Sequence, residues 1–122
     1  MKKWTLVCIA LFASVLVMAQ DEIKFESLSH NFGKIARGVN KSVIFKFTNN
    51  GAKPVAIEFA QAECGCTKPE YKQDPILKGQ SSTIKVTYTA PSDGVFKKKV
   101  TVKFAGIPKP IELEIQGEVI AK

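Results

Sequence analysis

Ser42-Val43-Ile44-Phe45-Lys46-Phe47-Thr48-Asn49-Asn50-Gly51 is the stretch on which the fold turns. Val43, Phe45 and Phe47 alternate with Ser42, Lys46 and Thr48, and only Ile44 interrupts the polar side. A period of two sends successive side chains to opposite faces of an extended chain, so this is a strand with one face in a core. Asn49-Asn50-Gly51 then supplies residues that tolerate turn conformations, and the strand stops there.

Working outward, the same pattern recurs. Val55, Ile57 and Phe59 alternate with Ala56, Glu58 and Ala60, and Ile84, Val86 and Tyr88 alternate with Thr83, Lys85 and Thr87. Phe96, Val100, Val102 and Phe104 share one face of a later run, as do Ile111, Leu113, Ile115 and Val119 of the last. Ile23 and Phe25 mark an earlier strand. Lys78-Gly79, Pro91-Ser92-Asp93-Gly94 and Gly106-Ile107-Pro108-Lys109-Pro110 punctuate the runs. Short strands at regular spacing, with no sustained helical period, predict an all-β sandwich or small barrel.

The last two strands predict a hairpin register. Pairing Phe104 with Ile111 also sets Val102 against Leu113, Val100 against Ile115 and Phe96 against Val119. The outward face then opposes Lys103 to Glu112 and Lys97 to Glu118, each pair contributing about 0.2–1 kcal/mol. A one-residue slip would turn every side chain to the wrong face. Lys97-Lys98-Lys99 accordingly reads as a solvated strand face that protects an edge, and no nucleic-acid partner is expected.

The chain has 122 residues and a formal charge of +7. Lys2 and Lys3 precede an apolar run from Trp4 to Ala19, and Val17-Met18-Ala19 sets a small residue before Gln20. This order is what signal peptidase reads, so residues 1–19 are expected to be a removable leader and residues 20–122 one domain. The run falls just short of the roughly 17 residues that cross a bilayer. Attachment to a membrane would follow only if it stayed uncleaved. Export to the periplasm, cell envelope or extracellular space allows disulfides to persist.

Beyond Cys8 in the leader, the cysteines are Cys64 and Cys66 of Cys64-Gly65-Cys66-Thr67. As a staple the pair is poor. Closing a three-residue loop is worth about 1.6 kcal/mol of chain entropy, against about 4.7 for a 100-residue loop. Bridging also requires the chain to turn, which Gly65 can supply. Three readings stand: a local disulfide or inert loop; a redox pair, with Lys68 favouring the thiolate; or a soft-metal site for Cu(I) or part of a zinc site. Two sulfurs leave a structural zinc site incomplete. The sole histidine, His30, is the further candidate ligand, although a strand-end residue is its plainer reading. No catalytic residue or cofactor is expected, because His30 lacks a recognisable nucleophile and no phosphate loop or metalloprotease motif occurs.

Several motifs together carry a resemblance: His30-Asn31-Phe32-Gly33-Lys34-Ile35, Gly38, Phe45 to Gly51, Pro54-Val55, Cys64-Gly65-Cys66-Thr67-Lys68-Pro69, Pro75-Ile76 with Gly79, Gly94 to Lys98, and Ile115 to Val119. In this order they resemble a family of bacterial exported proteins classed as a domain of unknown function and marked by Cys-Gly-Cys-Thr. Its domain is similar to the immunoglobulin-like modules of the Hydin and major sperm protein group. Asn31, Glu63 and Lys78 depart from the usual Asp, small hydroxyl residue and proline. The resemblance implies a single immunoglobulin-like β-sandwich of about seven strands in the cell envelope, without an established activity. The functional expectation is a non-enzymatic binding or structural module whose partner is a protein or another envelope component. The alternative is a thiol-redox or soft-metal-handling protein using the Cys-Gly-Cys loop.

Overall fold

A computed structural model describes residues 22–121; the leader expected at residues 1–19, and the boundary at Gln20, lie outside them. Eight strands occur: β1 (Ile23–Phe25), β2 (Ser29–Ala36), β3 (Asn40–Asn49), β4 (Ile57–Ala62), β5 (Thr67–Tyr71), β6 (Ser81–Thr89), β7 (Gly94–Phe104) and β8 (Ile111–Ile120). They form two four-stranded sheets, ordered β1-β3-β6-β5 and β2-β8-β7-β4. All pairings are antiparallel except β2 with β8. This is the immunoglobulin-like sandwich. The eighth strand arises because the first is broken in two: β1 belongs to one sheet, and the chain crosses at residues 26–28 so that β2 joins the other.

The alternating residues fill the space between the sheets. Phe45, Phe47, Ile84, Val86 and Tyr88 from one face Phe96, Val100, Val102, Phe104, Leu113, Ile115 and Val119 from the other, all buried. Phe47 meets Phe104 edge-on at 5.3 Å between ring centroids, and Tyr88 stacks on Phe96 at 4.0 Å. Each such side chain contributes about 1.5–3 kcal/mol through burial. Ile44, the irregular residue of the opening stretch, faces water at 62% exposure.

Two expectations are corrected. The β7–β8 register lies two residues from the one predicted: Phe96 opposes Gly117, Val100 opposes Leu113 and Val102 opposes Ile111. A shift of two preserves which face each residue occupies, so alternation cannot detect it. Charge matching favoured the other register, but exposed ion pairs are worth only about 0–1 kcal/mol. The observed register still brings Lys97 to Glu114 and Lys99 to Glu112, both at 3.8 Å, while Lys103 turns to Glu58 at 3.2 Å. Packing decides the matter, because only the observed register lays the Phe96 ring over a residue without a side chain. The second correction concerns Phe59, expected on the core face but 39% exposed. A bulge between Ile57 and Phe59 inverts the alternation. Phe59 then lies outward opposite Lys103, and Ala60 turns inward opposite Val102.

Candidate functional site

The Cys-Gly-Cys segment lies where the chain passes from β4, an edge of one sheet, to β5, an edge of the other. Backbone hydrogen bonds hold both ends of this crossover. Glu63 N donates to Lys99 O at 3.2 Å, and Lys99 N donates to Glu63 Oε1 at 2.9 Å. Thr67 N donates to Cys64 O at 3.2 Å, and Thr89 N donates to Cys66 O at 2.9 Å. Between these anchors Cys64 and Cys66 form a disulfide, their α-carbons 5.3 Å apart. Gly65 is exposed, has no positive φ, and would admit a Cβ without meeting any atom within 4 Å. The turn that bridging requires is therefore made without the conformational freedom of glycine, contrary to the expectation for Gly65.

Beneath the sulfurs lies Thr67, 4% exposed. Its hydroxyl is 3.6 Å from Cys64 Sγ and 3.8 Å from Cys66 Sγ, its only side-chain partners among the described residues. Cys66 packs against the core cluster. Lys68, on the opposite face of β5 from Thr67, pairs with Glu70 at 3.7 Å. His30 is not brought to this place. It lies on β2, at the other edge of the β2-β8-β7-β4 sheet, about 14 Å away by three strand spacings. There it packs edge-on against Phe32 at 4.8 Å. Among the described residues, no group of three His, Cys, Asp or Glu side chains gathers as metal ligands.

A second feature escaped the sequence reading. On the opposite lateral side of the sandwich, a cavity of about 710 Å³ opens beside β1 and the start of β8. Ile23, Phe25, Leu28, Ile107 and Ile111 give it apolar walls, and exposed Glu22, Lys24, Lys109 and Glu112 stand at its rim. Its size falls in the roughly 300–1,000 Å³ range of binding clefts.

Strand edges border this groove. Asn50 N donates to Glu22 O at 2.7 Å and Glu26 N donates to Lys46 O at 2.9 Å. Backbone groups alternate in direction along a strand, so those of Ile23 and Phe25 face away from β3. On β8, Glu114 N donates to Leu28 O at 2.9 Å, and pairing with β2 begins at Ser29–Glu114. The amide and carbonyl of Glu112 point the same way, with no strand across from them among the described residues. The groove exists because the chain changes sheets at Ser27-Leu28-Ser29. There Ser27 Oγ donates to Ser29 O at 2.7 Å and accepts from Ser29 N at 3.3 Å. Such a local hydroxyl bond turns the chain out of its strand. A serine either side of an apolar residue was the one sequence signal for it.

Comparison with solved structures places this fold among similar sandwiches. It is similar to the ASH/PapD-like domain 7 of human CEP192, at 10% identity and a TM-score of 0.64, over 83% of this chain and 87% of that one. It is also similar to a protein of unknown function from Porphyromonas gingivalis W83, at 10% identity and a TM-score of 0.67, over 79% of this chain and 46% of that one. The Vibrio cholerae VesB protease shares the fold at 16% identity and a TM-score of 0.65, over 82% of this chain and 32% of that one. At such identities the likeness is one of fold alone. No curated protein matches the chain. The family model described as protein of unknown function DUF1573 matches residues 23–119, and the chain belongs to that family.

Proposed function

We propose that the chain is an exported, non-catalytic binding module that takes an extended segment of a partner polypeptide into the groove beside β1 and β8. The observation that carries this reading is the pairing of uncovered strand edges at Ile23, Phe25 and Glu112 with an apolar slot. An added strand is the ligand that uses both. Its main chain satisfies the free edge groups, and its alternate side chains enter the slot. The leader motif of residues 1–19 supports export, and a disulfide at Cys64–Cys66 suits an oxidising compartment.

The test is selection of short peptides on the purified protein, followed by calorimetric binding to Leu28→Asp. Leu28 is 51% exposed, so the change leaves the core intact. Selected peptides should alternate apolar and polar residues, and Leu28→Asp should weaken them at least tenfold. Lys72→Glu, far from the groove, should not. Peptides without alternation, or binding indifferent to Leu28, would overturn the reading. Recovery of the chain only from the cytoplasm would overturn its export.

A further inference from the structure

We propose that the Cys64–Cys66 bridge is a thiol–disulfide exchange site that accepts two electrons from a partner dithiol, with the Thr67 hydroxyl holding the departing thiolate. This goes beyond the binding reading and concerns the opposite side of the sandwich, so either can fail alone. Three observations carry it. A bridge across two residues restrains the unfolded chain less than any longer loop, so stapling explains little of its presence. The backbone bonds from Thr67 to Cys64 and from Thr89 to Cys66 do not depend on the bridge, so the crossover stays in place when it opens.

The third observation is Thr67 itself. Its hydroxyl is buried, and its side-chain partners are two disulfide sulfurs, which are weak acceptors. A thiolate is a charged acceptor and receives a much stronger hydrogen bond. The hydroxyl is therefore poorly used in the bridged state and well used once the bridge breaks. Gly65 between the cysteines is exposed and Cys64 is only half-buried, so the bridge lies in a surface loop that a partner can reach.

The exchange proceeds in two steps. A partner thiolate attacks Cys64 Sγ, which does not pack on the core; a new S–S bond forms to Cys64, and the Cys64–Cys66 bond breaks. The electron pair leaves on Cys66 Sγ, where Thr67 donates its hydrogen bond and keeps its proton. The partner's second thiolate then attacks its own sulfur in the mixed disulfide and releases Cys64 as thiolate. The partner ends as a disulfide, Cys64 and Cys66 as a dithiol, and the two protons lost by the partner return to them through water.

Dithiothreitol is the probe. Opening of the bridge in the full chain is followed by alkylation and mass spectrometry of the peptide carrying both cysteines, so that Cys8 does not contribute. The bridge should open in millimolar dithiothreitol without denaturant, with the unfolding temperature of the reduced protein nearly unchanged. Thr67→Val should slow opening about tenfold, and Thr67→Ser should restore the rate. The sign is diagnostic: a variant that merely loosens the fold exposes the bridge and opens it faster. Equal or faster opening in Thr67→Val, or a bridge that yields only when the chain unfolds, would overturn the proposal.

Discussion

Replacing Gly117 by alanine tests the packing that sets the β7–β8 register. A Cβ at Gly117 would stand 2.9 Å from Cε1 and Cζ of Phe96 and 2.9 Å from Gly33 O. None of these atoms yields freely. The Phe96 ring is buried and stacked on Tyr88, and Gly33 O belongs to the backbone of β2. Overpacking of this kind costs about 1–3 kcal/mol. Against it stands a gain of about 0.4–1 kcal/mol from the stiffer unfolded chain, available because Gly117 has no positive φ. The balance centres on a loss of about 1.3 kcal/mol and reaches about 2.6, so at the centre Tm falls by roughly 5–10 °C for a domain near 100 residues. Gly65→Ala receives the same unfolded-state gain and meets no atom within 4 Å, so its Tm should equal or slightly exceed that of the parent. Thermal unfolding followed by circular dichroism reads both. Gly117→Ala melting at or above the parent temperature would refute the packing of Phe96 on Gly117, and with it the reason given for the register.

Asn49 is fully buried at the end of β3. It donates to Lys53 O at 2.8 Å and Ile76 O at 2.9 Å, and accepts from Gly51 N at 2.9 Å. Asn49→Ala leaves Lys53 O and Gly51 N without that partner, while Ile76 O keeps its bond from Val55 N at 3.0 Å, and should cost about 2–4 kcal/mol in urea unfolding; a loss under 1 kcal/mol would contradict that accounting. Burial raises the pKa of Tyr88 above its usual 10.0. The unfolded chain then ionises Tyr88 first, so stability is whole below about pH 10 and declines as pH rises beyond it. Tyr88→Phe, a volume-conserving change in the core, should cost less than about 1.5 kcal/mol at pH 7 and lose less stability above pH 10; identical alkaline profiles would contradict it.

Much of the fold was legible because its information is local. Phe45 with Phe47, and Ile84 with Val86 and Tyr88, name their own faces through alternation. What alternation cannot carry went unread. A shift of two residues leaves every face unchanged, so the partner of Phe96 depends on how a ring fits over Gly117. The bulge at Glu58 that turns Phe59 outward is set by pairing with β7. The Cys64–Cys66 pair was visible because its members are two residues apart. The burial of Thr67 beneath them was not, since it follows from its pairing with Tyr88 across the sheet. The groove joins residues 23–28 to residues 107–112, a juxtaposition that only the change of sheets at Ser27-Leu28-Ser29 creates.

Amide hydrogen exchange, residue by residue, with and without a selected peptide, tests the open edge most directly. The account predicts a fast-exchanging amide at Glu112 in the free protein, beside a protected one at Glu114 that bonds Leu28 O. Bound peptide should then slow Glu112, together with the outward amides of Ile23 or Phe25. A Glu112 amide already protected in the free chain, or unmoved by a peptide that binds, would contradict it.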